Sequence, residues 1–81
     1  MIVPSQTFRK QYEKLDAQVQ QRISTKIDQL DSQLRTWRHE RLQGRPEYKL
    51  RVGDWRVLYE FDLAENRLLL LTVRHRREVY R

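Results

Sequence analysis

Two stripes of apolar residues at helical spacing occupy the first half of the chain. Phe8, Tyr12 and Leu15 recur at i, i+4 and i+7, which places them on one face of a short helix. Asp16 then interrupts the pattern and is a suitable N-cap for a second helix. The second stripe is spaced by threes and fours and consists of Val19, Ile23, Ile27, Leu30, Leu34 and Trp37. The pattern therefore predicts two antiparallel helices joined by a tight turn.

The period of the apolar pattern then changes from about 3.6 to about 2. The change follows a polar stretch, Arg38–Glu47, which contains Gly44 and Pro46 and is predicted to be a loop. Beyond it, apolar and polar residues alternate in Tyr48–Val52 and again in Trp55–Phe61. The Gly-Asp pair between these runs indicates a two-residue hairpin turn, in which the glycine supplies a positive φ.

A third strand and a short N-terminal strand complete the predicted architecture. Met1–Pro4 is an extended start, Asp62–Arg67 forms a second turn, and Leu68–Val73 is a deeply buried strand. The predicted fold class is α+β, with a short N-terminal strand, a helical hairpin and then a three-stranded antiparallel meander. The strands would form one sheet with the helices on one face and the other face open. We expect a single domain, residues 1–81, with a small core.

The register of the predicted hairpin assigns its side chains to the two faces of the sheet. The apolar pairs that would face the helices are Tyr48–Tyr59, Leu50–Val57 and Val52–Trp55. The open face would carry Lys49, Arg51, Arg56, Leu58 and Glu60. Arg51 would then lie directly opposite Arg56, and like charges in that position destabilise a sheet. Either Glu60 or Asp54 relieves the repulsion, or an anion binds between the two guanidinium groups.

The C-terminal tail is predicted to extend this basic surface. Continuing the alternation makes core positions of Leu69, Leu71 and Val73. The open face would then receive Thr72, Arg74 and Arg76, with Arg77 close by. Tyr80 has two interpretations, since its ring could fill the core or could stack on a nucleic-acid base.

The charge of the chain gives that surface a candidate ligand. The sequence has 17 Lys and Arg against 11 Asp and Glu, for a formal net charge of +6. Arginine supplies 13 of the 17 cations, and its planar guanidinium binds phosphate through two N–H groups at once. So basic a small domain is typical of nucleic-acid binders. A solvated charged surface or an acidic protein partner would explain the composition alone equally well.

Residue types that the sequence lacks exclude several kinds of site. It has no cysteine, which rules out disulfides, thiolate chemistry and cysteine-based zinc sites. A domain this small without disulfides is expected in a reducing compartment, and we predict the cytoplasm. No apolar run approaches the roughly 20 residues of a membrane helix, and no signal-peptide pattern is visible at the N-terminus.

Three motifs in the second half of the chain resemble the RelE toxins of type II toxin–antitoxin modules. They are Tyr48-Lys49-Leu50-Arg51, Trp55-Arg56-Val57-Leu58-Tyr59 and Val73-Arg74-His75-Arg76-Arg77-Glu78-Val79-Tyr80. The combined pattern, YKLRVGDWRVLYE followed by VRHRREVYR, is similar to that of the RelE/ParE superfamily and covers the C-terminal 34 residues closely. The resemblance implies a RelE/ParE-like fold and a ribosome-dependent mRNA endoribonuclease that inhibits translation. It also implies that the toxin cleaves mRNA in the ribosomal A site and that a cognate antitoxin holds it inactive.

The resemblance also assigns roles to individual residues. The positions that match the family's catalytic residues are Lys49, Arg51, Arg56, Arg76 and Tyr80. The positions implied to bind RNA are Lys49, Arg51, Arg56, Arg74, Arg76 and Arg77. The chain departs from the family at the second basic position, which is arginine in place of lysine. A second departure is that the family's final helix is expected to be missing. No metal or other cofactor is implied.

RNA cleavage through the adjacent 2′-hydroxyl needs a base, cations around the phosphorane and an acid for the leaving oxygen. Lys49 is the candidate base, because two flanking arginines would destabilise its charged form. Arg51 and Arg56 would stabilise transition-state charge, and Arg76 would assist the leaving oxygen. Tyr80 would stack on or orient a base.

The two histidines are weaker candidates. His39 is predicted to be solvent-exposed in the polar loop, and His75 is expected to face away from Arg74 and Arg76 unless it takes part in catalysis.

Three alternative functions remain open at this point. The first is a ParE-like toxin that inhibits DNA gyrase, the second is a non-catalytic nucleic-acid-binding domain, and the third is an inactive relic that binds an antitoxin-like repressor. An acidic, partly disordered antitoxin would neutralise the basic face and stabilise the small core by mass action.

Overall fold

The computed structural model describes residues 1–79, with the side chain of Val79 left out. Tyr80 lies outside the described residues, so its predicted role is not addressed by the structure. In chain order the elements are β1 (Ile2–Pro4), α1 (Gln6–Glu13), α2 (Ala17–Ser32), β2 (Glu40–Arg41), β3 (Tyr48–Val52), β4 (Trp55–Asp62), β5 (Arg67–His75) and α3 (Arg76–Val79). In this described part of the chain, no helix is long and apolar enough to cross a membrane.

Side-chain caps fix the start of both long helices. Ser5 Oγ accepts a hydrogen bond from the Phe8 amide at 3.0 Å, and Asp16 Oδ1 accepts one from the Val19 amide at 2.9 Å. A cap of this kind contributes about 1 kcal/mol to helix stability. The predicted helical pair is confirmed, but α2 ends at Ser32, earlier than the apolar stripe. Leu34 is nevertheless buried, because the turns after the helix keep it against the core.

The sheet has five strands in the order β1-β5-β4-β3-β2 and is wider than the predicted meander. The meander itself is confirmed, since β3 pairs antiparallel with β4 and β4 with β5. β1 adds a parallel strand beside β5, with Ile2 opposite Leu68. β2 adds a two-residue antiparallel strand beside β3, inside the stretch predicted to be a loop.

The predicted register of the β3–β4 hairpin is also confirmed. Leu50 lies opposite Val57 and Val52 opposite Trp55, joined by the two-residue turn. Gly53 has a φ of 59°, the left-handed value that the first position of a type II′ turn requires.

An irregularity in β5 makes part of the predicted core assignment wrong. Tyr59 pairs with Leu70 but its neighbour Leu58 pairs with Thr72, so Leu71 is an extra residue in a β-bulge. The bulge shifts the alternation by one position. The buried residues of β5 are therefore Leu68, Leu70 and Val73, not Leu69 and Leu71 as predicted.

The main hydrophobic core lies between the helices and one face of the sheet. Its buried members are Phe8, Ile23, Ile27, Leu30, Leu34, Leu50, Val52, Val57, Tyr59, Leu68, Leu70 and Val73. A second, small cluster joins Leu42 and Leu58. Because Leu58 points to the face opposite the helices, the segment after β2 covers part of the face that was predicted to be open.

Candidate nucleic-acid interface

Three arginines form a row across the middle of the sheet on the face opposite the helices. Arg51 lies opposite Arg56, as predicted, and Arg56 lies opposite Arg74 on the next strand. Neighbouring strands are about 4.8 Å apart, so this arginine row (Arg51, Arg56 and Arg74) places three cationic side chains across three adjacent strands. The bulge keeps Arg74 on this face, so the predicted face of Arg74 is confirmed.

The repulsion between the cations of the row is reduced by an acidic residue that the sequence analysis did not identify. Glu40 on β2 accepts hydrogen bonds from Arg51, with Oε1 2.8 Å from Nη2 and Oε2 3.2 Å from Nε. Lys49 Nζ lies 3.6 Å from the same Oε1. The hydrogen bond from Arg51, and then the nearby charge of Lys49, hold the pKa of Glu40 below its usual range.

Neither of the two acids predicted for this task performs it in the described structure. Asp54 pairs with Arg76, and Glu60 is exposed on β4, whereas the carboxylate that contacts Arg51 among the described residues is that of Glu40. Glu40 was missed because it lies in a polar stretch whose strand is only two residues long, too short to show an alternating pattern. It reaches the site because β2 pairs with β3 and places Glu40 opposite Lys49.

Lys49 has an environment different from the one that the sequence suggested. Its side chain is only 10% exposed and lies beside the Glu40 carboxylate. The Lys49 amino group therefore has a carboxylate as a close neighbour, in addition to the flanking arginines that the sequence suggested, and any ligand that binds it must compete with Glu40.

Arg56 is the buried member of the arginine row, with 9% of its surface exposed. Its Nη1 donates to the carbonyl of Gly53 at 2.7 Å and to that of Trp55 at 2.8 Å. Within the described residues, its Nε is buried without a hydrogen-bond partner. The guanidinium therefore stabilises the hairpin turn by binding two of its carbonyl groups. Its charge lies beneath the surface of the sheet.

The tail joins the site through the same hairpin turn. The Arg76 amide donates to the Asp54 carbonyl at 2.7 Å, and Arg76 Nε lies 3.7 Å from Asp54 Oδ1. Residues 76–79 form the one-turn helix α3, so the expectation that no helix follows the sheet is wrong. Arg74 and Arg77 are exposed. The tail thus starts at one end of the arginine row and carries further cations.

His39 is a structural residue, and the prediction that it is solvent-exposed is wrong. Its Nδ1 lies 2.7 Å from the Tyr59 hydroxyl and its Nε2 lies 2.9 Å from the Leu34 carbonyl. Because a carbonyl only accepts, the neutral ring donates from Nε2 and accepts the Tyr59 hydrogen at Nδ1. The ring also stacks on Phe61, with centroids 4.0 Å apart. Burial raises the pKa of the Tyr59 hydroxyl well above its usual range.

His75 lies on the helix-covered side of the sheet, away from the arginine row. It is opposite Trp55 and meets that ring edge-on, with centroids 5.5 Å apart. The sequence prediction of its direction is therefore confirmed.

The sequence from residue 2 to residue 80 matches the profile of a family described as the ParE toxin of the type II toxin–antitoxin system parDE. The chain belongs to this ParE toxin family. The resemblance to the RelE/ParE superfamily is thereby confirmed, and the chain is a toxin of a type II toxin–antitoxin system. None of the curated proteins matches the sequence.

Solved structures of RelE toxins share the fold of this ParE-family toxin. The isolated RelE toxin of E. coli matches with a TM-score of 0.79 and 21% identity, over 99% of this chain and 89% of that one. The toxin–antitoxin complex RelBE2 of Mycobacterium tuberculosis gives 0.77 and 22%, covering 96% and 92%. The RelB–RelE complex of Methanococcus jannaschii gives 0.72 and 21%, covering 96% and 94%. At such identity, the likeness establishes the fold.

Proposed function

We propose that this toxin is an mRNA endoribonuclease that cuts message in the ribosomal A site and thereby inhibits translation. The arginine row, with Lys49 two residues before Arg51 on the same face of β3, is the observation that carries the proposal. Guanidinium groups bind phosphates through paired N–H donors, and a row across three strands suits the backbone of a single RNA strand. The helices cover the other face of the sheet, and on this face the exposed side chains of Arg51 and Arg74 are within reach of an RNA strand.

The proposed reaction is a transfer within the RNA. The 2′-oxygen bonds to the adjacent phosphorus while the bond from phosphorus to the 5′-oxygen breaks, which leaves a 2′,3′-cyclic phosphate and a 5′-hydroxyl. One proton leaves the 2′-hydroxyl, and one is delivered from a water molecule to the departing 5′-oxygen, whose developing charge Arg76 stabilises. In this scheme Lys49 accepts the first proton, and Arg51 and Arg74 stabilise the charge on the phosphorane.

The remaining cations have supporting roles in the proposal. Arg56 adds charge from beneath the surface, and Arg76 on α3 assists the leaving oxygen. Arg77 contacts the RNA backbone, and Tyr80 stacks on a base. This set lacks a strong acid–base pair, so we expect slow cleavage of free RNA. The ribosome would supply the alignment of the 2′-oxygen with the phosphorus.

We further propose that a cognate antitoxin, acidic and partly disordered, covers the basic face. Related RelE toxins have been crystallised in complexes with RelB antitoxins, and a net charge of +6 favours an acidic partner. The toxin would act in the cytoplasm, where translating ribosomes are found, as a single domain of residues 1–81.

Mapping of mRNA ends in a translating extract tests the proposed cleavage. The wild-type toxin should produce new 3′ ends within the translated part of a reporter message, and Lys49→Ala should reduce them at least tenfold. Arg35→Ala is a matched control, because Arg35 is exposed in the turns after α2 and lies away from the arginine row. Arrested translation with intact message would contradict the proposal.

Inhibition of DNA gyrase is the second candidate, favoured by the match to the ParE family. The Glu40 carboxylate, which partly neutralises Lys49 and Arg51, also suits a surface that does not cleave RNA. A supercoiling assay with purified gyrase separates the two candidates. Loss of supercoiling, together with undamaged mRNA in the extract, would establish gyrase as the target.

A further inference from the structure

The carboxylate of Glu40 lies where two basic side chains converge. Arg51 grips both of its oxygens, at 2.8 and 3.2 Å, and Lys49 Nζ approaches one of them at 3.6 Å. A guanidinium holds a phosphodiester through the same two-point geometry, using its two free oxygens. Glu40, Lys49 and Arg51 are called the Glu40 cluster below. Lys49 and Arg51 form an anion-binding site, and the carboxylate of Glu40 occupies it.

The Glu40 carboxylate is held weakly enough for another anion to displace it. β2 is a two-residue strand at the edge of the sheet, and the side chains of Glu40 and Arg51 are 46% and 57% exposed. The ion pair between Glu40 and Arg51 is exposed on both sides, and such a pair is worth at most about fivefold in affinity. A phosphate brought in by RNA that also contacts Arg74 can therefore compete with the carboxylate for Lys49 and Arg51.

We propose that Glu40 acts as a resident substitute for an RNA phosphate, and that RNA must displace it before Lys49 and Arg51 can bind the scissile region. This inference rests on the proposed function, because it describes how the same surface is regulated. Displacement transfers the hydrogen-bond donors of Lys49 and Arg51 from the carboxylate to the RNA phosphate. Glu40 thus weakens RNA binding, because only RNA that displaces its carboxylate can contact both Lys49 and Arg51.

Binding of a 2′-O-methylated single-stranded RNA, which cannot be cleaved, tests the inference on the purified toxin. Fluorescence anisotropy should give a dissociation constant about threefold to fivefold lower for Glu40→Gln than for wild type, because the exposed ion pair no longer has to be broken when the RNA phosphate binds. Glu65→Gln is the matched control. It removes the same charge from the exposed β4–β5 turn and should change the constant less than twofold. Equal effects of the two substitutions would overturn the inference.

A second comparison tests whether any gain in RNA affinity depends on the Glu40 cluster. In an Arg51→Gln background, adding Glu40→Gln should improve binding far less than it does in the wild type, because the main donor that it releases is gone. An undiminished gain would overturn the inference. Should Glu40→Gln lower the melting temperature, Glu40→Thr repeats the test with a side chain that favours strands.

This binding assay separates the inference from the proposed function. Tighter binding by Glu40→Gln, with no cleavage on ribosomes by either protein, would support the role of Glu40 and refute the nuclease. Cleavage by the wild type, with unchanged binding by Glu40→Gln, would support the nuclease and refute the role of Glu40.

Discussion

Substitution of Arg56 should damage the fold before it affects any chemistry. The resemblance to RelE toxins marks Arg56 as a catalytic position, yet the structure buries it beneath the surface. Its Nη1 holds the carbonyls of Gly53 and Trp55 at 2.7 and 2.8 Å. We therefore predict that Arg56→Ala is strongly destabilising. A loss of toxicity in this variant would not by itself identify a catalytic residue.

The magnitude follows from two losses, of hydrogen bonds and of packing, and two smaller gains. Each hydrogen bond from a charged donor is worth about 1.5–3 kcal/mol, and truncation also removes the packing of the buried stem. Relief of the repulsion from Arg51 and Arg74 returns about 0.2–1 kcal/mol for each pair, and water can reach the carbonyl in the exposed turn. The hydrogen bonds and packing dominate, so we expect a net loss of about 2–3 kcal/mol. For a chain of this length, the melting temperature should fall by roughly 10–20 °C.

Urea unfolding followed by far-UV circular dichroism measures this loss directly. Arg74→Ala is the matched control, because it removes an arginine from the same row but from an exposed position. It should change the free energy of unfolding by less than about 0.5 kcal/mol. If Arg56→Ala proves as stable as Arg74→Ala, the structural role assigned to the buried guanidinium is refuted.

Two further predictions concern groups with shifted pKa values. Because Arg51 lowers the pKa of Glu40, the carboxylate stays charged well below neutral pH, and its ion pairs are lost only as pH falls through that lowered pKa. The difference in RNA affinity between wild type and Glu40→Gln should therefore be constant from about pH 8 to about pH 6 and shrink below about pH 4; a difference that vanishes near neutral pH would contradict this. His39→Phe removes the acceptor of the buried Tyr59 hydroxyl and should cost about 1–3 kcal/mol in urea unfolding. Tyr59→Phe should recover much of that loss when combined with it, and additive losses would show that the two groups are not coupled.

The parts of the fold that could be predicted are those in which one physical rule acts alone. The second helix follows from an apolar stripe between an N-cap and a polar stretch, and Asp16 caps it as expected. The hairpin register follows from a two-residue turn, which leaves a single way to pair the strands. Arg51 and Arg56 therefore oppose each other in the structure as they do in the prediction.

The rest depends on contacts between segments that are distant along the chain. β2 is too short to have a period of its own, and only pairing with β3 brings Glu40 to Lys49. His39 lies in a polar stretch, but that stretch crosses the rings of Tyr59 and Phe61. Leu71 looks like every other apolar residue of its run, and only the pairing of β5 with β4 makes it the extra one. None of these features leaves a local signal in the sequence.

The bulge at Leu71 has a consequence for how the length of this chain can vary. Its free backbone groups are satisfied from the N-terminal helix, since Ser5 Oγ donates to the Leu71 carbonyl and Gln11 Oε1 accepts from the Val73 amide, both at 2.8 Å. β5 is thus one residue longer than its pairing needs, and deletion of one residue at the bulge leaves Arg74 on its face. β3 has no extra residue of this kind, so a deletion within it would turn the remaining side chains to the opposite face. Among related sequences, gaps should therefore be tolerated in β5 and avoided in β3.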